Sequence, residues 1–180
     1  MLLAKNEEGY RNLCKLSSIG FLEGFYYQPR IDQEILAAHR EGLICLSGPL
    51  QGKIAYLILQ DLEAELKEEI LWCKKTFGED FYFEVQRHPM SDKFIALDGM
   101  DKEPWLLQKY RDYQIAQKRV NERLKALSQE FQIPCVATND IHYLEREDWR
   151  AHEILLNIQS GEPCEIWERD SRGVAKNKTL

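Results

Sequence analysis

Asp140 and His142 stand one residue apart in the stretch CVATNDIHYL, where a short apolar run gives way to Asn-Asp-Ile-His. In extended chain, side chains two positions apart point to the same side. A carboxylate oxygen and an imidazole nitrogen placed in this way suit a divalent metal such as zinc or manganese. Such a metal could activate water against a phosphoester. Two donors do not make a site, because a catalytic zinc takes three protein ligands and a closed structural one takes four. The pair also has a plain structural reading, with Asp140 as a turn-forming or capping residue and His142 as a satisfied polar side chain.

Glu84 lies inside the strand-like segment FYFEVQRH. A carboxylate in a strand must face water or a partner, and here it would orient a ligand or hold the Arg87 side chain. His88 closes the same segment ahead of Pro89, either as a site-facing group beside Glu84 or as a surface histidine. His39 and His152 fall on polar helix positions and read as solvated. The sequence offers no Ser-His-Asp or Cys-His arrangement and no phosphate-cradling glycine loop. The basic residues of 109–125 alternate with acids, as on a solvated helix face. No set of carboxylates suited to holding two metals beside a nucleotide stands out.

These groups need elements to place them. MLLAKNEEGYRNLCKLSSIGF reads as the end of a strand followed by a helix capped by Asn6, with Glu7 and Glu8 in its first turn. Asp32 caps a short helix to about Arg40, and GLICLSG (42–48) reads as a buried strand stopped by Gly48-Pro49. Leu62, Leu66, Ile70 and Phe77 line one face of the helix that follows. In FYFEVQRH, Phe81, Phe83 and Val85 share one strand face, and Tyr82, Glu84 and Gln86 share the other. Residues 90–104 read as an irregular excursion, followed by a long amphipathic helix, the strand IPCVATND (133–140) and a final helix over about 147–159. The tail 162–180 is charged and aperiodic, and reads as a loop or cut end. Strand and helix alternate at least three times, which favours parallel strands in an α/β barrel or doubly wound sheet. In such folds, functional groups gather at the carboxyl ends of the strands.

With 180 residues, 44% of them apolar, the chain is long enough for one core. The formal charge of −6 does not favour a polyanion over the surface as a whole. Five widely spaced cysteines without a C-x-x-C pair suggest neither a disulfide framework nor a zinc knuckle, so a reducing cytoplasm is the expected compartment. There is no secretory leader pattern and no apolar run long enough to span a membrane.

Taken together, LLAKNEEGYRNLCKLSSIGFLEGFYYQPRID, EGLICLSG, FYFEVQRH and IPCVATNDIHYLEREDWRAHEILLNIQSG closely resemble the N-terminal PHP domain (polymerase and histidinol phosphatase) of the bacterial DNA polymerase III alpha subunit. The resemblance runs in the family's order to about Gly161. It implies a distorted (βα)7 barrel, here incomplete, and a piece of a cytoplasmic replicative polymerase that copies DNA with magnesium. The implied partners are DNA and the holoenzyme subunits, including a sliding clamp and a proofreading exonuclease. An intact PHP site, with zinc or manganese, can remove nucleotides from a 3′ end, whereas a decayed one leaves a scaffold.

Carried over by residue, the family's last ligand pair falls on Asp140 and His142, and its cysteine ligand falls on Pro49, which has no ligating atom in its side chain. Lys53 stands where the family often has Glu. The remaining ligands, including an H-x-H pair, would precede Met1, and the polymerising palm would follow the tail. The resemblance thus implies a partial PHP domain over 1–161 with an insertion at about 90–116, a truncated end over 162–180, and a vestigial metal site with Glu84 and His88 behind it. The expected role is structural, and the fragment alone is expected to be inactive. A metal-dependent phosphoesterase or 3′–5′ exonuclease of the same family, and a docking module for the exonuclease, are the competing expectations. A barrel lacking its first strands would also expose sheet edges, so independent folding is not expected.

Overall fold

Asn6 starts the first helix as its sequence position demands. Its side-chain oxygen accepts from the Gly9 backbone N–H at 2.9 Å, and Glu7 and Glu8 occupy the first turn. A computed structural model of the chain describes residues 1–97, 99–160, 165–169 and 175–179. It divides into two compact units, Met1–Asn139 and Asp140–Leu180.

In the first unit the order is β1 (Leu2–Ala4), α1 (Glu7–Leu22), α2 (Gln33–Ala38), β2 (Leu43–Leu46), α3 (Lys53–Leu59), α4 (Glu63–Phe77), β3 (Phe81–Gln86), α5 (Asp92–Leu97), α6 (Pro104–Phe131) and β4 (Cys135–Thr138). The strands lie in the order β1-β2-β3-β4, with β1 antiparallel to β2 and the other two pairings parallel. The fold is therefore mixed α/β around a mostly parallel sheet of four strands among the described residues. The two parallel pairings are bridged by helices, α3 and α4 in one case and α5 and α6 in the other, as parallel connections require. The antiparallel β1 is the departure from the parallel expectation.

One close contact fixes how α1 meets the sheet. A Cβ on Gly9 would sit 1.9 Å from the Gly42 carbonyl oxygen, and Gly42 itself takes φ +71°. Gly9 is required by that approach, and Gly42 by its backbone, since a Cβ there would also meet Asn6 Oδ1 at 2.4 Å. The Lys5 N–H then bonds to the Gly42 carbonyl at 2.8 Å, tying β1 to the turn that leads into β2.

The core forms as the periodicity predicts. Leu66 and Ile70 of α4 are fully buried with Phe77, and Val120, Leu124 and Leu127 of α6 join them. Leu62 packs at the edge of this cluster. In β3, Phe83 and Glu84 point to opposite faces, yet both are buried, so this strand is covered on both sides. Phe81 and Phe83 meet edge to face at 5.6 Å between centroids.

Residues 90–104, read from sequence as irregular, contain α5 and a 3-10 turn over Met100–Lys102. Pro104 then supplies the first turn of α6, where its missing N–H costs nothing. In the second unit α7 spans Trp149–Ser160, close to the expected bounds. Within the tail expected to be a loop, β5 (Glu165–Arg169) and β6 (Ala175–Thr179) pair antiparallel. Alternation was too weak among those charged residues to signal strands. Residues 162–164, 170–174 and 180 of that tail lie outside the described residues. No helix among the described residues is long and apolar enough to cross a membrane.

Cys14, Cys45, Cys73 and Cys135 are free thiols. Burial pushes Cys45 up to about 11 and Cys73 up to about 12, from an ordinary 9.0. Above that ordinary value the unfolded chain releases thiol protons that the folded chain keeps, so stability falls as pH rises from 9 toward 11. Alkylation of the native chain at neutral pH is expected at the exposed Cys14 and Cys135 and blocked at Cys45 and Cys73 until denaturant is added, with mass spectrometry as the readout. Phe83→Ala is expected to cost about 3–5 kcal/mol in urea unfolding, against about 1 kcal/mol for Asn6→Ala.

Candidate functional site

Glu84 is 2% exposed, and among the described residues no cationic side chain partners it. Its Oε1 accepts from the Thr138 hydroxyl at 2.5 Å and from Gln86 Nε2 at 3.1 Å. Gln86 Nε2 also donates to Thr138 Oγ1 at 3.1 Å, closing a small triangle. Strand register explains it: Gln86 pairs with Thr138 across β3 and β4, and Glu84 lies two residues back on the same face. The Glu84 N–H donates to Ser47 Oγ at 2.9 Å, which joins β3 to the turn after β2. Glu84 Oε2 is buried and has no hydrogen-bond partner. Arg87 is exposed, so the expectation that Glu84 holds it is corrected: the carboxylate draws its donors from the neighbouring strand and from its own.

His88 is a corner post. Its ring Nε2 lies 2.9 Å from the Asn139 carbonyl, which can only accept, so Nε2 carries the proton. Nδ1 then faces Gln117 Nε2 and Tyr113 Oη, each at 3.2 Å. Its backbone N–H donates to Gln117 Oε1 at 3.1 Å, and its carbonyl accepts from Gln114 Nε2 at 2.9 Å. The Met90 N–H donates to Tyr110 Oη at 2.6 Å. Tyr110, Tyr113, Gln114 and Gln117 recur at helical spacing on one face of α6. Three of the four lie within 90–116, so that segment grips the end of β3. With both ring nitrogens engaged, His88 has no lone pair left for a metal. A surface histidine making few contacts is not what the structure shows.

Pro49 lies in the turn that follows β2 and lines a narrow cavity with Glu84, Gln86, Gln117 and Asn121. Lys53, at the start of α3, pairs with Glu69, which also accepts from Gln33 Nε2 at 3.0 Å. Its charge is thus taken up by α4 rather than offered to Glu84.

In the second unit Asp140 and His142 are exposed. β4 ends at Thr138, and Asp140 takes φ +53°, so the same-side argument for extended chain does not apply to this pair. His142 Nδ1 lies 2.7 Å from the Asp140 backbone carbonyl and donates to it, and the ring sits 5.1 Å from the His152 ring. His152, read as solvated, is half-buried, and its ring also lies 5.6 Å from that of Tyr143 at a tilt of 46°.

Among the described residues, no three His, Cys, Asp or Glu side chains converge as metal ligands. The residues present do not fit a bound metal as a complete donor set: Pro49 offers no side-chain donor, His88 is spent on the protein, and Glu84 Oε1 is already satisfied. Sequence reasoning found Glu84 and His88 but missed Thr138, Gln86, Gln117 and Tyr113, which hold them. The available signal was the polar pair Glu84 and Gln86 on one face of an otherwise apolar strand.

A family model described as PHP domain matches residues 1–88. The chain is 52% identical over 91% of its length to DNA polymerase III subunit alpha of Chlamydia trachomatis, of which it covers 13%. It is 46% identical over 89% of its length to the subunit of Borreliella burgdorferi, covering 12%, and 42% identical over 88% to that of Thermus aquaticus, covering 11%. The chain thus spans a small part of the curated relatives it matches.

Thr138→Val keeps the shape of the side chain but strips one donor from the buried Glu84 carboxylate. A loss of about 1–3 kcal/mol in urea unfolding is expected, larger than for Thr→Val at an exposed strand position.

Proposed function

From the homology of this chain to a PHP-bearing segment of bacterial DNA polymerase III alpha subunits, we propose that it serves as the PHP portion of a replicative DNA polymerase. The observation that carries this reading is 52% identity over 91% of the chain. The complete subunit would be a nucleotidyltransferase that copies a DNA template from deoxynucleoside triphosphates with magnesium in the cytoplasm. Its partners would be DNA and the holoenzyme subunits, among them a sliding clamp and a proofreading exonuclease.

On this reading residues 1–161 form part of a distorted (βα)7 barrel, of which the mostly parallel β1–β4 sheet is one arc, and 162–180 lead toward the rest of the polymerase. Residues 90–116 would be an addition to the common barrel that has become one of its supports. The contribution of this segment is structural. Glu84 spends its charge on Thr138 and Gln86, His88 spends its ring on Asn139 and Gln117, and Pro49 replaces a ligand.

A second reading, a PHP phosphoesterase or 3′–5′ exonuclease using zinc or manganese, is favoured by one feature, the retained Asp140 and His142 with His152 beside them. The two readings separate in the complete alpha subunit. Primer extension with magnesium is expected, and Pro49→Cys should leave it unchanged with 3′ nuclease activity still at background. A gain of ~tenfold or more in manganese- or zinc-dependent nuclease activity, about 1.4 kcal/mol in barrier terms, would replace the structural reading by the second. Failure of the complete subunit to extend a primer would sink the polymerase assignment.

A further inference from the structure

Glu84 Oε2 is a buried acceptor left without a donor. A carboxylate in this condition is costly, since its charge is taken from water and returned no hydrogen bond at that oxygen. The residue lines a cavity of about 10 Å³ between β3, α6 and the turn after β2, with Pro49, Leu50, Gln117, Val120 and Asn121. That space is at the lower limit for one water molecule.

The side-chain donors around the cavity are largely committed elsewhere. Gln86 Nε2 gives its two hydrogens to Glu84 Oε1 and Thr138 Oγ1. Gln117 Nε2 faces His88 Nδ1 and Tyr113 Oη. The Thr138 hydroxyl donates to Oε1. Asn121 Nδ2 spends one N–H on the Gln86 carbonyl at 2.8 Å and has a second. None of these donors, the second Asn121 N–H included, lies within hydrogen-bond distance of Oε2, and the cavity between them has room for something of water size.

We infer that this cavity is a binding site for a single structural water, which donates to Glu84 Oε2 and accepts from the second N–H of Asn121. The water completes the shell of the carboxylate without a counter-charge and links β3 to α6 at the level of Pro49. Water fits the wall better than a monovalent cation does, because the Asn121 N–H calls for an acceptor and a cation offers none. This inference rests on the geometry of β3 and α6, and stands or falls independently of the polymerase reading.

The test is a crystal structure of the complete protein that carries this chain, grown once in sodium and once in rubidium salts, at a resolution that shows ordered solvent. The expected result is one peak per chain about 2.7–3.0 Å from Glu84 Oε2, with no anomalous rubidium signal. The peak should persist in Glu84→Gln, because water can accept from the new amide as readily as it donated to the carboxylate. Absence of any peak in the wild-type chain overturns the inference, as does rubidium at the site. An infrared carboxylic-acid band at neutral pH that Glu84→Gln removes would also overturn it, by showing that a proton rather than a water satisfies Oε2.

Discussion

A carboxylate buried within a parallel sheet sets the terms for everything near it. Glu84 sits between two strands, 2% exposed, so each of its oxygens must find donors inside the protein or bring solvent in with it. The donors come from Thr138 at the end of β4 and from Gln86 one pleat further along β3. This places demands on register, because a slip of one residue between β3 and β4 would turn Thr138 to the other face and leave the carboxylate bare. The polar triangle thus selects one alignment of two strands that hydrophobic burial alone would hold less exactly.

The same logic extends to the ends of the strands. Ser47 accepts from the Glu84 N–H, and His88 binds Asn139 at the exit of β4 and Gln117 on α6. The ends of β2, β3 and β4 are here cross-braced by amides, hydroxyls and one imidazole. Catalytic metal chemistry needs donors with lone pairs held open, whereas bracing needs those lone pairs occupied. In Met1–Asn139 the second condition prevails at Glu84 Oε1 and at the His88 ring, whose polar atoms are taken up by Thr138, Gln86, Asn139 and Gln117.

Much of this could be read in the sequence. The caps at Asn6 and Asp32, the helical face Leu66, Ile70 and Phe77, and the strands around Leu43, Phe83 and Val136 followed from local rules, because each is decided by neighbours a few residues away. The antiparallel pairing of β1 could not be seen, since three residues carry no directional signal. The tail strands escaped because the sequences EIWER and AKNKT show no clean apolar-polar alternation. At the site, residue type identified Glu84 and His88, but apart from Gln86 the side chains that hold them lie 25 to 54 positions away in the chain. Such pairings exist only once the fold has formed. The Asp140 backbone shows the same limit, for a left-handed residue after a strand removes the alternation from which its neighbour's direction was argued.

Helix α6 holds Met90 through Tyr110 and His88 through Tyr113, Gln114 and Gln117, two turns of one continuous helix. Each residue advances a helix by about 100°, so gaining or losing a single residue between positions 110 and 117 would swing Tyr110 and Tyr113 out of line with Gln117. The length of this stretch is therefore locked in phase. One face of α6 is in this way a gauge against which the strand end is set.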